Sequence, residues 1–422
     1  MTLDYTDFFI FVNHEQFLKT QLLNYNDKIM KIKSLCIIAC ATMVACNSQN
    51  EATNRVELPG AVDNEAFAAN VESISVMNLQ MDDSWTIVDN PILSFADNYI
   101  YISEPRQIRL ACFDRQTGEK LSDRIIKGRG PGEITFLNTT FCIGDTLCVC
   151  TAKVAKKFDH NFKYLDDLCE FDSQLYGYQP VRMNNGDYAM MYSPFSIAMD
   201  TVPVIFLTDK SFNIKSKYFT ILPSMTPISG SSPTYYTKGD TIRCFMPLDN
   251  NLYTLLGDTK QITELAVPNP LTNDALTGAE DPFAKALEYD GMFGSLCESG
   301  RFIVFMYHSN HDDYTAMVDR QTNHAVSIIY NEEPATCTSG VVVDFFNSIA
   351  ILQTNDNCIY ARCRIRNMNR LLEGYDNLLD ARLKKTQAEY RTYLERNANY
   401  IKGLEPEERE VANVLIKIKL KD

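Results

Sequence analysis

The chain is poor in the residues that most often announce chemistry. Its 422 residues include five histidines and a single tryptophan. His14, His160 and His324 are scattered, and only His308 and His311 lie close together. There is no Gly-x-Ser-x-Gly elbow, so the nucleophile of an α/β-hydrolase has no place to sit. There is no Cys-x-x-Cys pair, so a thiolate zinc site at the usual spacing is excluded. Positive charge is also short: 40 Lys and Arg against 54 Asp and Glu leave a net charge of −14. Residues 1–45 hold four acids and four lysines, so the whole excess lies beyond them. Such a surface repels phosphate backbones and anionic headgroups, which argues against nucleic acid as a partner and against adhesion to membrane by charge. The chain also lacks a run long enough to span a bilayer. Its apolar stretch Ser34–Ala45 has 12 residues, where a spanning helix needs roughly 20.

What is present begins with that stretch. Lys31 and Lys33 precede it and Cys46 follows. A short basic region followed by a short apolar region reads as a signal peptide over residues 30–45. The residues before Cys46 resemble the lipobox of bacterial lipoproteins, in which the cysteine thiol receives diacylglycerol and becomes the new N-terminus. Residues 1–29 do not fit ahead of a signal peptide and are read as an over-extended start, with translation beginning at Met30. Residues 46–70 are read as a lipidated tether, since Asn47–Asn54 is polar and rich in Ser, Asn and Gln.

The remainder, residues 71–422, repeats. Hydrophobic residues form 45% of the chain and charged residues 22%, enough for a sizeable core, and 23 Phe and 22 Tyr suit strands. One signature is a tight turn between short apolar strands: Ala96-Asp97-Asn98, Ile143-Gly144-Asp145, Asn185-Gly186-Asp187, Lys238-Gly239-Asp240, Ser299-Gly300-Arg301 and Phe346-Asn347-Ser348. Gly, Asn and Asp accept the positive φ of two-residue hairpins. The second signature is a strand ending in Asp before another turn, as at 112–121, 157–165, 206–215, 254–263 and 317–326, with Asp-Arg-Gln-Thr repeated at 114–117 and 319–322. The first turns step by 48, 42, 53 and 61 residues from Asp97 to Arg301. Two hairpins per period give four short strands, the unit of a propeller blade. The fold class is therefore all-β, a six-bladed β-propeller with four-stranded blades. Either Ile74–Leu79 or Val411–Leu420 would supply the closing strand. Residues 367–403 have apolar residues at helical spacing and are read as an amphipathic helical insertion packed on the propeller rim.

At Gly128-Arg129-Gly130-Pro131-Gly132-Glu133 the chain resembles the TolB-like six-bladed β-propeller lipoproteins of bacteria. The resemblance takes in the lipobox, the Phe-Asp-Arg-Gln-Thr-Gly turn, this loop and the C-terminal Asn413–Lys421. It implies the fold and an envelope location, and it implies no reaction. The loop lies between strands and contains a proline, so it is not the phosphate cradle of a strand–glycine–helix motif. Glu133 is expected to pin it.

Both kinds of turn fall on one face of such a propeller. The opposite face and the central channel are then the default ligand site. Arg106, Arg129, Glu133, Tyr192, His308, His311 and Asp312 are the candidate ligand residues there, with Glu104, Lys153, Asp249 and Asp313 beside them. Two histidines and two carboxylates over 308–313 are a metal-ligating set in kind, but no further element at fixed spacing supports a metal, and the stretch reads as a solvated connection. Neither a catalytic constellation nor a cofactor site is assigned. The ten cysteines after Cys46 sit mostly in apolar strands and read as buried thiols. The functional expectation is a monomeric, lipid-anchored interaction module of the envelope, on the periplasmic or the surface side of the outer membrane, with a glycan, peptide or protein ligand. The alternative is a propeller-type hydrolase or lyase acting on a sugar or lactone with metal assistance.

Overall fold

A computed structural model describes residues 54–422 except 60, 83–86, 88–90, 193–201, 222–233, 247–248, 258, 277–278, 280, 331–340, 348 and 374–379. Cys46, the signal segment and residues 1–29 lie outside the described residues. The first elements are β1 (Asn54–Glu57), α1 (Asn64–Ala69) and β2 (Val71–Val76). Blade one is β3 (Ile92–Phe95), β4 (Tyr99–Glu104), β5 (Arg109–Asp114) and β6 (Lys120–Ile125). Blade two is β7 (Thr139–Ile143), β8 (Thr146–Cys150), β9 (Val154–Phe158) and β10 (Tyr164–Glu170). Blade three is β11 (Gln179–Arg182), β12 (Tyr188–Met191), β13 (Val202–Thr208) and β14 (Ile214–Ile221). Blade four is β15 (Thr234–Lys238), β16 (Thr241–Phe245), β17 (Asn251–Leu256) and β18 (Thr259–Ala266). After α2 (Asn273–Leu276) and α3 (Pro282–Ala286), blade five is β19 (Gly291–Ser299), β20 (Phe302–Ser309), β21 (Asp312–Asp319) and β22 (Ala325–Ile329). Then come α4 (Val341–Asn347), β23 (Ile349–Asn355), β24 (Cys358–Arg364), the helices α5 (Ile365–Glu373), α6 (Ala381–Arg396), α7 (Ala398–Gly403) and α8 (Pro406–Val411), and β25 (Asn413–Leu420).

The six sheets are those of a six-bladed propeller with four-stranded blades. Blade six has the order β2-β25-β24-β23. Both sequence segments proposed for closure are therefore used: β25 is its third strand, and β2, from the other end of the chain, is its outermost. Ring closure by this pairing leaves no gap between first and last blades.

The expectations are corrected in four places. Two parts of the segment read as tether are folded: α1 (Asn64–Ala69), and β1, which adds a fifth, parallel strand to the outer edge of blade four, Asn54 pairing with Thr263 through Glu57 with Ala266. Phe346-Asn347-Ser348 is not a strand–strand turn. Phe346 and Asn347 end α4, with Phe345 and Phe346 buried, and Ser348 lies outside the described residues. Blade six instead turns at Asp356 (φ 47°) and Asn357 (φ 61°), so β23, which follows Ser348, is its innermost strand. The helical insertion is longer than 367–403: among the described residues it comprises four helices, the first starting at Ile365 and the last ending at Val411.

The second-type aspartates act as their position implies. Asp114 accepts the amides of Gln116 (2.9 Å) and Thr117 (2.6 Å), Asp159 those of Asn161 and Lys163 (both 2.9 Å), and Asp209 those of Ser211 (2.8 Å) and Asn213 (2.9 Å). In blades two and three the turn residue with positive φ is a phenylalanine, Phe162 (φ 55°) and Phe212 (φ 62°), and both rings are buried between blades. Phe212 stacks on Tyr188 at 4.3 Å, so packing outweighs the backbone strain.

Helix α6 solves a different problem. Strand β2 is a sheet edge with unpaired backbone groups, and α6 covers it with side chains. Glu389 accepts the Val76 amide (2.9 Å), Thr386 donates to the Ile74 carbonyl (2.8 Å), and Arg382 donates to the carbonyls of Ala68 (2.6 Å) and Val71 (2.5 Å). Asn397, 1% exposed, continues the pattern by accepting from Met81 N–H (2.7 Å) and donating to Leu79 (2.9 Å). Leu383, Tyr390 and Tyr393 fill the space beneath as part of the core. The apolar spacing read from the sequence is thus the face turned to the propeller, and its polar residues finish the edge.

Candidate functional site

The first strand of each blade is innermost, and the six together wall a central cavity of about 460 Å³. Each runs toward the face that carries both hairpin turns, because the strands of a blade alternate in direction. Residues that end a first strand, such as Arg182 and Lys238, therefore stand at the hairpin-face mouth.

The lining is almost entirely neutral and divides about evenly between hydrogen-bonding and apolar residues. Ser94 of β3 and Thr140 of β7 share a hydrogen bond at 2.8 Å, joined by Ser103 at 3.3 Å. The Tyr235 hydroxyl donates to Gln179 Oε1 across the boundary of blades four and three. Buried Asn138 ties the base of blade two to Gly177 (3.2 Å) and Tyr178 (3.0 Å). Tyr235 and Tyr236 belong to the cavity wall, Tyr236 buried toward blade five, and their phenol pKa values are raised chiefly by burial, for Tyr236 also by the charge of Glu298. Hydroxyls, amides and rings on one wall suit a small ligand that is itself polar and has an apolar face.

The six innermost strands contain one carboxylate, Glu298, and two basic residues, Arg182 and Lys238. Glu298 is 1% exposed. It receives Lys238 Nζ (2.8 Å), Arg243 Nη1 (2.7 Å) and Arg320 Nη2 (3.2 Å), and its amide donates to Thr354 (3.2 Å). A buried carboxylate is tolerable only with such partners, and here it locks blades four, five and six together beside the cavity. Arg182 lines the cavity, is exposed, and makes no ion pair among the described residues.

The residues singled out from sequence lie elsewhere. Arg106 is exposed in the turn between β4 and β5, and Arg129 is exposed between blades one and two. Glu133 accepts the Gly130 amide at 2.7 Å and so pins its own loop. Gly132, at φ 75°, has the Tyr164 side chain where a Cβ would be, 2.5 Å away, which explains that glycine. Tyr192 is buried against Tyr178 at 6.3 Å, its amide bonded to the Val204 carbonyl (2.8 Å). His308 is buried with Nδ1 2.9 Å from Asp313 and Nε2 3.2 Å from the Leu287 carbonyl, so both ring nitrogens are engaged. Asn310 and His311 form a positive-φ hairpin (51° and 66°), and Asp312 is exposed beside it. Buried Asp290 accepts the Asn310 amide (3.1 Å) and the Asn269 amide (2.8 Å), tying the connection after blade four to this hairpin. Among the described residues no three His, Cys, Asp or Glu side chains gather as metal ligands. None of the seven candidates lines the cavity.

Gln179, Arg182, Tyr235 and Glu298 were not read from the sequence. The signal was available: each lies in the strand just before a first-type turn, and that strand is innermost in any blade. The described cysteines, nine in number, are all unpaired. Burial pushes the thiols of Cys112, Cys148, Cys169, Cys244 and Cys363 up to about 12.

Among solved structures, a Bacteroides fragilis protein inferred to be exported matches with a TM-score of 0.57 and 15% identity, over 88% of this chain and 99% of that one. A member of the DUF4221 family from Bacteroides vulgatus matches with a TM-score of 0.42 and 8% identity, over 83% of this chain and 98% of the other. No curated protein matches the sequence. Residues 45–360 match the family model described as 6-bladed beta-propeller, DUF5128. The chain belongs to this 6-bladed beta-propeller family.

Proposed function

We propose that the protein is a binding module of the bacterial cell envelope whose central channel holds a small polar ligand, a glycan or the tip of a peptide or protein. One observation carries the reading: all six blades contribute to a single cavity of about 460 Å³ whose wall sets hydroxyls, amides and rings among aliphatic side chains. Anchoring belongs to the same proposal. Cys46 at the end of an apolar stretch is the lipidation site, and a net charge of −14 offers no other evident route to a membrane. Export draws support from the similar Bacteroides fragilis protein inferred to be exported, and placement at the outer membrane is part of the proposal. Kinship with the TolB-like lipoproteins, read from the loop at 128–133, is a further part of this reading, as is the monomeric state.

The test is a binding screen of the full-length protein in detergent against mono- and oligosaccharides and short peptides, run beside Gln353→Trp, which places an indole in the cavity wall. Binding that falls at least tenfold in Gln353→Trp while its thermal midpoint is kept supports the reading. Binding that the indole leaves unchanged refutes it.

A further inference from the structure

We propose that the ligand of the channel carries an anionic group on a hydroxylated body, and that Arg182 at the hairpin-face mouth is the residue that holds the anion. This rests on the channel being the binding site. Two cations and one carboxylate occur on the six innermost strands. The carboxylate, Glu298, already faces Lys238, Arg243 and Arg320 at 3.2 Å or less. Lys238 is held in addition by Asn357 Oδ1 at 2.8 Å. Arg182 is left over. It lines the cavity without an ion pair among the described residues, in a chain whose net charge is −14 and in which 54 acids were available to neutralise it.

Acids on the turns of the hairpin face are committed elsewhere, Asp145 of blade two to Asn98 (2.9 and 2.6 Å). On the turn that follows Arg182, Asp187 pairs with Lys215 (2.8 Å). Asp240, on the next blade, accepts the amide of Asn185 (3.2 Å). Asp356, across the ring, is paired with Arg115. None of these belongs to the cavity wall.

A guanidinium presents a planar fork of donors that grips a carboxylate or phosphate through two parallel hydrogen bonds. The neighbouring wall supplies what the rest of such a ligand needs. Gln179, on the same strand, and Thr139 and Thr237 on the flanking blades offer acceptors and donors for hydroxyl groups, and Tyr235 offers a ring face. A cavity of about 460 Å³ falls within the range of small-molecule sites. The chemical class is therefore a small sugar acid or sugar phosphate, or the acidic end of a longer glycan.

Titration calorimetry on the detergent-solubilised full-length protein tests this with D-glucuronate, glucose 6-phosphate and D-glucose as probes, each also against Arg182→Gln and Gln353→Trp. Arg182 is exposed, so its substitution is expected to leave the thermal midpoint unchanged. The expected result is that at least one anionic probe binds ten times more tightly than glucose, that Arg182→Gln removes this advantage, and that raising the salt concentration weakens it. Glucose binding as tightly as both anions, an advantage that survives in Arg182→Gln, or binding by none of the probes overturns the proposal. If glucose binds equally well and Gln353→Trp abolishes it, the channel stands and the anion falls. If binding persists in Gln353→Trp, the channel itself is the wrong site.

Discussion

Asn98 in blade one donates both its backbone N–H (2.9 Å) and its side-chain amide (2.6 Å) to a single carboxylate, that of Asp145 in blade two. The Tyr101 hydroxyl adds a bond to the Asp145 carbonyl at 2.7 Å. The relationship recurs around the ring. Asn185 of blade three reaches Asp240 of blade four (3.2 Å), and Gly300 of blade five reaches Asn357 of blade six (3.0 Å). The turn of one blade thus fastens the turn of the blade before it.

Replacing Asp145 with alanine removes both bonds from an exposed site, so the expected loss is about 1 kcal/mol of unfolding free energy. Denaturant titration of the variant beside the parent protein checks this. An unchanged midpoint would mean that the turn contacts are incidental to ring stability.

The same carboxylates set an acid limit. The amides of Asn98 hold Asp145 below the usual carboxylate range, the amide of Thr117 does so for Asp114, and the side chain and amide of Asn213 do so for Asp209. A depressed folded-state pKa contributes stability above the ordinary carboxylate value of about 3.9 and loses it as pH falls through the lower folded-state value. Stability should therefore fall on acidification below about pH 4, by less in Asp145→Asn than in the parent, as read from denaturant midpoints between pH 5 and 3.

Phe162 offers a reversal of a general rule. It is fully buried yet sits at φ 55°. Alanine there forfeits ring burial worth about 3–5 kcal/mol and keeps the strain. Glycine forfeits the same burial and relieves the strain. Phe162→Gly should be less destabilised than Phe162→Ala by roughly 1 kcal/mol, the opposite of the order in regular helices and strands.

Asn397 is buried and makes three bonds, with Met81 (2.7 Å), Leu79 (2.9 Å) and Tyr393 (3.0 Å). Asn397→Leu removes the side-chain partner of the Met81 N–H and the Leu79 carbonyl, while the Tyr393 carbonyl keeps the backbone N–H of residue 397 (3.0 Å), and is expected to cost about 2–4 kcal/mol. Thermal unfolding, with hydrogen exchange at residues 71–81 as the local readout, checks it.

The nine described thiols are unpaired, and burial is the first cause of the raised pKa values. A thiol reagent at pH 8 should label at most Cys142 and Cys169 of these nine in the folded protein, since the other seven are buried, and all nine after unfolding. Mass spectrometry of the labelled peptides reads the result.

These relationships show which parts of the molecule could be read from the chain. The turn aspartates were legible because an Asx turn is local: Asp114 and Gln116 are two residues apart. The contact of Asn98 with Asp145 was not, because it depends on ring closure bringing two distant turns side by side. Blade six was misplaced because Phe346-Asn347-Ser348 looks like a turn while Phe345 and Phe346 bury themselves as helix, a choice made by tertiary packing. The candidate residues read from sequence lie in and beside the loops, where polar residues stand out. The cavity wall is made by first strands, where Gln179 and Arg182 sit among apolar neighbours and are marked only by their order before the turn.

The most direct test of the central claim is hydrogen–deuterium exchange of the full-length protein with and without a ligand found by the binding screen. Slowed exchange in the innermost strands at 92–95, 139–142, 179–182 and 235–237 is the predicted result. Slowed exchange confined to the outward loops at 104–109 and 309–313, with those strands unchanged, would contradict it.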